Sequence, residues 1–281
     1  MAGPFTVACI QTNTGNDAAA NLSAALSFAR EARDAGADLI AFPEVVSLIE
    51  PDRDALVAHA SGEDRHEALA AFSAFASSSG TWLLVGSLTV GLGGGRLANR
   101  SFLLDPDGKV AARYDKIHLF DVDLPDGKSS RESDRYEAGE TAVLAQLPWG
   151  GLGMTVCYDL RFPVLYWKLA RAGADFLAVP SAFTRTTGRV HWHALLKARA
   201  IETGCYVIAP AQCGDHAGGR ESYGHSLVVE PWGEIVADGG EEVGFALAEI
   251  DPARVREARA ALPALKNARR YDPPSSLGQA E

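Results

Sequence analysis

The chain has 281 residues, 47% hydrophobic and 22% charged, a globular balance that excludes a disordered, collagen-like or coiled-coil chain. The length suits one large domain or two small ones. With 26 basic and 36 acidic residues the formal charge is −10, so no nucleic-acid or anionic-membrane surface is expected, and an anionic substrate would need local Arg or Lys.

No apolar run approaches the roughly 20 residues of a membrane span. The opening Met-Ala-Gly-Pro-Phe-Thr-Val lacks the basic and apolar regions of a secretory leader. Four cysteines (Cys9, Cys157, Cys205, Cys213) are too few for a disulfide framework. Reduced thiols and a cytoplasmic location are the expectation.

In chain order, apolar residues at Leu22, Ala25, Leu26 and Ala29 have helical spacing, and Gly36 stands where a helix C-terminus wants a positive φ. Leu39-Ile40-Ala41-Phe42-Pro43 is then a buried strand closed by proline, with Glu44 at its end. A helical segment from Leu69 to Phe75 leads through Gly80 to the strand Trp82-Leu83-Leu84-Val85. Gly91-Leu92-Gly93-Gly94-Gly95 joins two strands, so it is a hairpin loop and not a dinucleotide fingerprint. Ser101 to Val110 forms a hairpin turning at Pro106 and Gly108.

The second half repeats this order. Ala35-Gly36-Ala37-Asp38-Leu39-Ile40-Ala41-Phe42-Pro43 is echoed by Ala172-Gly173-Ala174-Asp175-Phe176-Leu177-Ala178-Val179-Pro180, preceded by a helical pattern at Leu165 and Leu169. Gly80-Thr81-Trp82-Leu83-Leu84-Val85 is echoed by Gly204-Cys205-Tyr206-Val207-Ile208-Ala209 after a helical Leu195–Ile201. The hairpin recurs from Ser226 to Ile235, with Pro231 and Gly233 in the turn. Two halves of strand, helix, strand, helix, strand and hairpin would bury their bare sheet faces against each other. The predicted fold is an α/β four-layer α-β-β-α sandwich with internal pseudo-twofold duplication. It forms a single domain over residues 1–271, with 272–281 as a tail. Trp192 and Trp232 are expected in the core or an interface. Leu119–Gly139 has no counterpart in the second half and reads as a long loop near the site or an insertion.

Cys157 ends the run Leu152-Gly153-Met154-Thr155-Val156, before a helix starting near Pro163. Helix N–H groups at such a junction favour a thiolate and offer donors to an oxyanion; the plainer reading is a buried small apolar residue. Cys9 and Cys205 lie within apolar strands and fit that plainer reading; Cys213 is placed in a loop. Glu44 ends a buried strand, and its counterpart in the second half is Ser181, so two strand ends point at one region. Partial desolvation would raise the Glu44 pKa toward a useful general-base value; the alternative is a solvated loop carboxylate. Lys116, in Tyr114-Asp115-Lys116-Ile117-His118-Leu119-Phe120, is either an edge-strand lysine or a cation beside Cys157. His191 and His193 are two apart and face different sides of a helix, so no metal pair is expected of them.

Phe42-Pro43-Glu44, Asp115-Lys116-Ile117-His118-Leu119 and Cys157-Tyr158-Asp159-Leu160-Arg161-Phe162-Pro163 together resemble the signatures of the nitrilase-related carbon–nitrogen hydrolases. The resemblance runs along nearly the whole chain. It implies an α-β-β-α fold that pairs into a homodimer or higher homo-oligomer and a Glu-Lys-Cys triad, with no cofactor and no metal. Carried over by motif, Cys157 would be the nucleophile, Glu44 the general base and Lys116 the oxyanion stabiliser. Glu132 matches a second glutamate of many members, and the Tyr158 N–H would complete the oxyanion hole.

Pro180-Ser181-Ala182-Phe183, His191-Trp192, Ala211-Gln212-Cys213-Gly214 and Ser222-Tyr223-Gly224-His225-Ser226 resemble the deaminated glutathione amidase and omega-amidase branch, whose substrates are amides of small α-keto acids. That branch usually has an acid where this chain has Val164 and Glu where it has His193. The implied reaction passes through a thioester with release of ammonia from a small-molecule amide. An N-carbamoyl amino acid or a nitrile would use the same triad, and a silent scaffold would retain only the fold. Arg161 would pair with a substrate carboxylate, or with Asp159 or Glu202 as scaffold.

Overall fold

The computed structural model describes residues 3–124, 127 and 129–272. Of the expected tail only Asp272 falls within them. The first half runs β1 (Phe5–Gln11), α1 (Ala18–Asp34), β2 (Leu39–Ala41), α2 (Arg53–His59), α3 (Glu67–Ser79), β3 (Trp82–Gly93), β4 (Arg96–Leu104) and β5 (Val110–Asp115). A small ribbon of β6 (Asp121–Asp123) and β7 (Ser129–Arg131) follows. The second half runs β8 (Val143–Leu147), β9 (Gly150–Met154), α4 (Pro163–Arg171), β10 (Ala174–Ala178), α5 (Arg185–Thr203) and β11 (Tyr206–Ala209). It continues through a second ribbon, β12 (Cys213–Asp215) with β13 (Glu221–Tyr223), to β14 (Leu227–Val229) and β15 (Ile235–Asp238). The described chain closes with β16 (Gly244–Ile250), α6 (Pro252–Ala261) and α7 (Ala264–Asn267).

The duplication is visible in the sheets. One has the order β16-β1-β2-β3-β4-β5, the other β8-β9-β10-β11-β14-β15. In each, three parallel strands are flanked by an antiparallel edge strand on one side and an antiparallel hairpin on the other. The two hairpin turns close alike, Asp105 N to Lys109 O and Glu230 N to Glu234 O, each at 2.9 Å.

Alternation along each strand produces the layers. Val7, Cys9, Leu39, Ala41 and Leu84 belong to one core with Leu152, Met154, Phe176, Ala178 and Val207 of the other sheet. Their neighbours Ala8, Ile10, Ile40, Leu83 and Val85 pack instead with Ala25 and Ala29 of α1 and Phe72 and Ala76 of α3. The result is the expected α-β-β-α sandwich. α1 starts at Asp17, whose carboxylate accepts the Ala20 N–H at 3.0 Å, and leads into Gly36 at φ +96°.

Gly86 lies against the ends of both proline-closed strands. A Cβ there would lie 2.0 Å from the Phe42 carbonyl, 2.5 Å from that of Pro43 and 2.6 Å from Pro180 Cβ. It lets both proline-ended strands converge. Trp192 is fully buried, its indole donating to the His225 carbonyl at 2.8 Å, whereas Trp232 in the β14–β15 turn is 56% exposed and not core. Cys213 begins β12 and is buried.

Candidate active site

The strand ends converge as the duplication requires. Glu44 follows β2 and is 3% exposed; its Oε2 accepts the backbone N–H of Ala182, just beyond β10, at 2.8 Å. Its Oε1 accepts Lys116 Nζ at 2.9 Å and Asn99 Nδ2 at 3.0 Å. Lys116 follows β5 and is 2% exposed. Its ammonium is also held by both oxygens of Glu132, at 2.9 and 2.8 Å, so it bridges two carboxylates. Glu132 Oε2 in turn accepts the Phe120 N–H at 2.6 Å. The described residues of the Leu119–Gly139 segment are thus no bare loop: they include a ribbon and a short 3₁₀ turn, and supply much of one cavity wall.

Cys157 opens a 3₁₀ turn (Cys157–Arg161) that precedes α4, and its thiol lies beside the Glu44 carboxylate on the cavity wall. Its φ is +48°, and that of Val45, next to Glu44, is +49°. Only three non-glycine residues among those described have a positive φ, and two flank this pair, as expected where backbone strain is held at a functional site. Asp159 fixes the turn. Fully buried, it accepts the Val156 N–H (2.8 Å), the Tyr114 hydroxyl (2.7 Å), the His118 N–H (3.0 Å) and His118 Nδ1 (2.6 Å). His118 stacks on Phe162 with ring centroids 3.6 Å apart.

The charges correct two expectations. Burial alone would push the Glu44 carboxyl up, but the Lys116 and Arg220 charges and the hydrogen bonds from Lys116 and Cys157 bring it down to about 2. It is therefore ionised, not tuned toward neutrality. The Cys157 thiol is pushed well above its ordinary value by burial and by the Glu44 carboxylate, against the pull of Lys116 and Arg220. The resting sulfur is a thiol and not the thiolate expected of a helix junction, because burial and, after it, the Glu44 carboxylate disfavour a second negative charge there. Lys116 is depressed by burial but raised further by Glu132, Glu44 and Cys157, and stays charged.

These side chains sit in a cavity of about 770 Å³. Glu44, Lys116, Cys157, Glu132 and Tyr158 line it together. Ser181 and Arg161 are not among the lining residues. Ser181 is fully buried, with its Oγ turned back to the Val179 carbonyl at 3.0 Å. Arg161 pairs with neither Asp159 nor Glu202: Asp159 is taken as above, and Glu202 binds Arg199 at 2.7 Å. Its guanidinium lies behind the aromatic wall, 5.2 Å from the Phe183 ring centroid and 5.9 Å from that of Tyr158, with Nη1 3.3 Å from His191 Nδ1.

Sequence reasoning missed Asn99, which joins the two carboxylates through one amide nitrogen (3.0 Å to Glu44, 3.2 Å to Glu132). The signal was a lone amide inside the apolar strand Leu97-Ala98-Asn99. It also missed the arginines of the cavity. Arg220 donates to the Ala182 carbonyl at 2.7 Å, Arg53 to the Asp134 carbonyl at 2.9 Å and Arg135 to the Glu50 carbonyl at 2.9 Å. Such bonds hold a guanidinium in place without cancelling its charge.

Residues 6–260 match the carbon-nitrogen hydrolase family. A deaminated glutathione amidase of a Synechocystis species is 39% identical over 271 residues, covering 94% of this chain and 98% of that protein. The mouse deaminated glutathione amidase is 40% identical, over 98% of this chain and 86% of its own. Among solved structures, yeast Nit3, a member of branch 10 of the nitrilase superfamily, superposes with a TM-score of 0.84 at 29% identity, covering 94% of this chain and 96% of Nit3. With the sandwich and the matched residues agreeing, the chain belongs to the carbon–nitrogen hydrolase family and has its nitrilase-like fold.

Proposed function

We propose that this enzyme is a thiol amidase that cleaves the carbon–nitrogen bond of a small linear amide through a thioester on Cys157, with release of ammonia. The observation carrying this reading is an ionised Glu44, held by the Lys116 ammonium, beside the Cys157 thiol on the wall of one cavity.

The chemistry follows from the charges. The thiol is too weak an acid to give up its proton at rest, so transfer to Glu44 accompanies attack of sulfur on the amide carbonyl. As that carbonyl oxygen gains charge, Lys116 Nζ and the Tyr158 N–H, in the first turn after the nucleophile, stabilise it. Glu44 returns the proton to the departing nitrogen, and ammonia leaves behind a thioester. A water then takes the place of the amine. Glu44 accepts its proton, the acyl–sulfur bond breaks, and a carboxylic acid is released with the thiol restored. Glu132 acts through Lys116, holding the ammonium while Glu44 changes its protonation. The three side chains supply nucleophile, base and electrophile, so the steps call for no cofactor.

The substrate is read as an amide carrying a carboxylate, most closely of the deaminated-glutathione type. Relatives about 40% identical bear that name, and Arg53, Arg135 and Arg220 bring positive charge to the cavity. We further read the chain as one hydrolase domain, acting as a cytoplasmic homodimer. The test is ammonia release from deaminated glutathione, α-ketoglutaramate and an N-carbamoyl amino acid, with Cys157→Ala as control. Turnover of a keto-acid amide that vanishes in the variant supports the reading and ranks its two candidates. Turnover of the carbamoyl compound alone moves the assignment there.

A further inference from the structure

Outside the cavity, three side chains from three elements converge on one point: His193 from α5, His225 from the loop between β13 and β14, and Asp238 from the end of β15. A donor atom from each lies within 4.8 Å of the other two. His225 Nδ1 is 2.9 Å from Asp238 Oδ1, and His193 Nε2 is 3.5 Å from Asp238 Oδ2. Glu241 brings a second carboxylate, its Oε1 4.0 Å from His225 Nε2. None of these residues belongs to the cavity lining or to the proposed mechanism.

We propose that this cluster is a binding site for a divalent transition-metal ion of the zinc class, ligated by His193, His225 and Asp238, with Glu241 or water in the fourth position. Two imidazoles and a carboxylate are borderline donors that suit zinc, cobalt or copper and disfavour magnesium and calcium. Zinc–nitrogen and zinc–oxygen bonds near 2.0–2.2 Å put ligand atoms somewhat over 3 Å apart, a span that the 2.9 and 3.5 Å pairs bracket and small side-chain rotations would complete. The scaffold is fixed beforehand. The His225 backbone is pinned on both sides, its N–H donating to the Gly240 carbonyl at 2.6 Å and its carbonyl accepting the Trp192 indole at 2.8 Å. Asp238 Oδ1 accepts the Gly240 N–H at 2.8 Å. The Tyr223 ring covers one side, with centroids 4.6 Å from His225 and 6.0 Å from His193. All three ligand side chains keep partial exposure, so an ion can enter. His193 pairs across elements and not with His191, which is why spacing along the helix gave no hint.

A bound ion would staple α5, whose first residues Arg185 to Thr187 line the active-site cavity, to the hairpin β14–β15. Its signature is therefore thermal as well as spectroscopic. The experiment uses untagged full-length protein carrying Cys157→Ala, which removes the active-site thiol as a competing ligand. After chelation, the protein is titrated with ZnCl₂ by calorimetry and with CoCl₂ by visible absorption, and the melting temperature is followed with and without zinc. One equivalent should bind, raise the melting temperature, and resist excess MgCl₂. His193→Gln and Asp238→Asn should each weaken binding by about tenfold or more and abolish the thermal shift, while melting as the parent does in chelator. His193 lies on a part-exposed helix face, so it carries the test even if Asp238→Asn folds poorly. Absence of binding, unchanged affinity in His193→Gln, or competition by magnesium would each overturn the proposal.

Discussion

Lys116→Met tests the electrostatics of the site most directly. The Lys116 ammonium offsets two carboxylates, and it is the leading charge that opposes burial at Glu44. In the native chain the Glu44 carboxyl drops from 4.5 to about 2, worth about 3 kcal/mol to the folded state at 1.36 kcal/mol per unit. The folded state there binds fewer protons than the unfolded one. That stability is complete above about pH 4.5 and is lost as the pH falls toward about 2. Without the ammonium, burial dominates and Glu132 remains close by, so the Glu44 carboxyl rises above its ordinary value and the sign reverses. The folded variant then holds a proton the unfolded chain has given up, and stability declines by up to about 1.4 kcal/mol per pH unit above about pH 4.5. Near neutrality the loss should be about 3–5 kcal/mol, as for a buried ion pair stripped of one partner. Urea denaturation across this pH range measures it. The triple variant Lys116→Met, Glu44→Gln, Glu132→Gln removes the stranded charges and should recover most of the loss. A Lys116→Met protein with native stability and a flat pH profile would refute the reasoning, as would a triple variant no more stable than the single one.

The raised thiol predicts that the ultraviolet difference spectrum between native protein and Cys157→Ala shows no thiolate titrating from about pH 6 to about pH 9; a transition near the ordinary cysteine value would contradict it. Gly86→Ala drives a methyl group into the Phe42 and Pro43 carbonyls and should cost at least the usual 1–3 kcal/mol of overpacking, read as a lower urea midpoint with an unchanged slope. Arg220→Gln should raise KM for a carboxylate-bearing amide by about tenfold and leave that of a neutral amide nearly unchanged; equal effects on both would remove Arg220 from substrate binding. Asn99→Ala should lower kcat by about ten- to a hundredfold and cost about 1–3 kcal/mol, because both glutamates lose one donor. Unaltered kinetics would make Asn99 a bystander.

The layers were legible because they rest on local patterns. Helical spacing, a glycine after α1, α3, α4 and α5, and a proline closing the apolar runs at Pro43 and Pro180 recur in both halves, and the sheet orders repeat accordingly. The positions of Glu44 and Ser181 at equivalent strand ends were legible for the same reason. What stayed hidden depends on contacts between distant residues. Glu44 ends an apolar run, which argues for a raised pKa, yet its partner Lys116 arrives from another strand and reverses the sign. Cys157 stands before a helix, which argues for a thiolate, yet burial and the Glu44 carboxylate raise the thiol. Asp159 looked free to bind Arg161 until the fold delivered Tyr114 and His118 to it. Trp232, large and apolar, is expected in the core or an interface; it is not core, and sits 56% exposed in the β14–β15 turn.

The two halves have one topology, but the polar groups at their strand ends differ in how fully they are satisfied. Beyond β1, Thr12 Oγ1 donates to Gln212 Oε1 at 3.1 Å, and Gln212 Nε2 donates to Thr14 Oγ1 at 2.8 Å and to the Glu44 carbonyl at 3.0 Å. Ser181 at the end of β10 bonds its own strand. These groups are neutral and mutually paired, and nothing in them is poised to change. The ends of β2, β5 and β9 contribute instead two ions and a thiol, all buried, on backbone that turns left-handed at Val45 and Cys157. Asn99 keeps its Oδ1 buried without a hydrogen-bond partner, because its amide nitrogen must face the two carboxylates. Strain, buried charge and an unpaired acceptor each cost stability, and all three gather at the cavity while the ends of β1 and β10 carry none of them. Within the duplicated scaffold the relaxed ends of β1 and β10 and the stressed ends of β2, β5 and β9 thus separate by physical cost alone, and the stressed ones bring Glu44, Lys116 and Cys157 to the cavity lining.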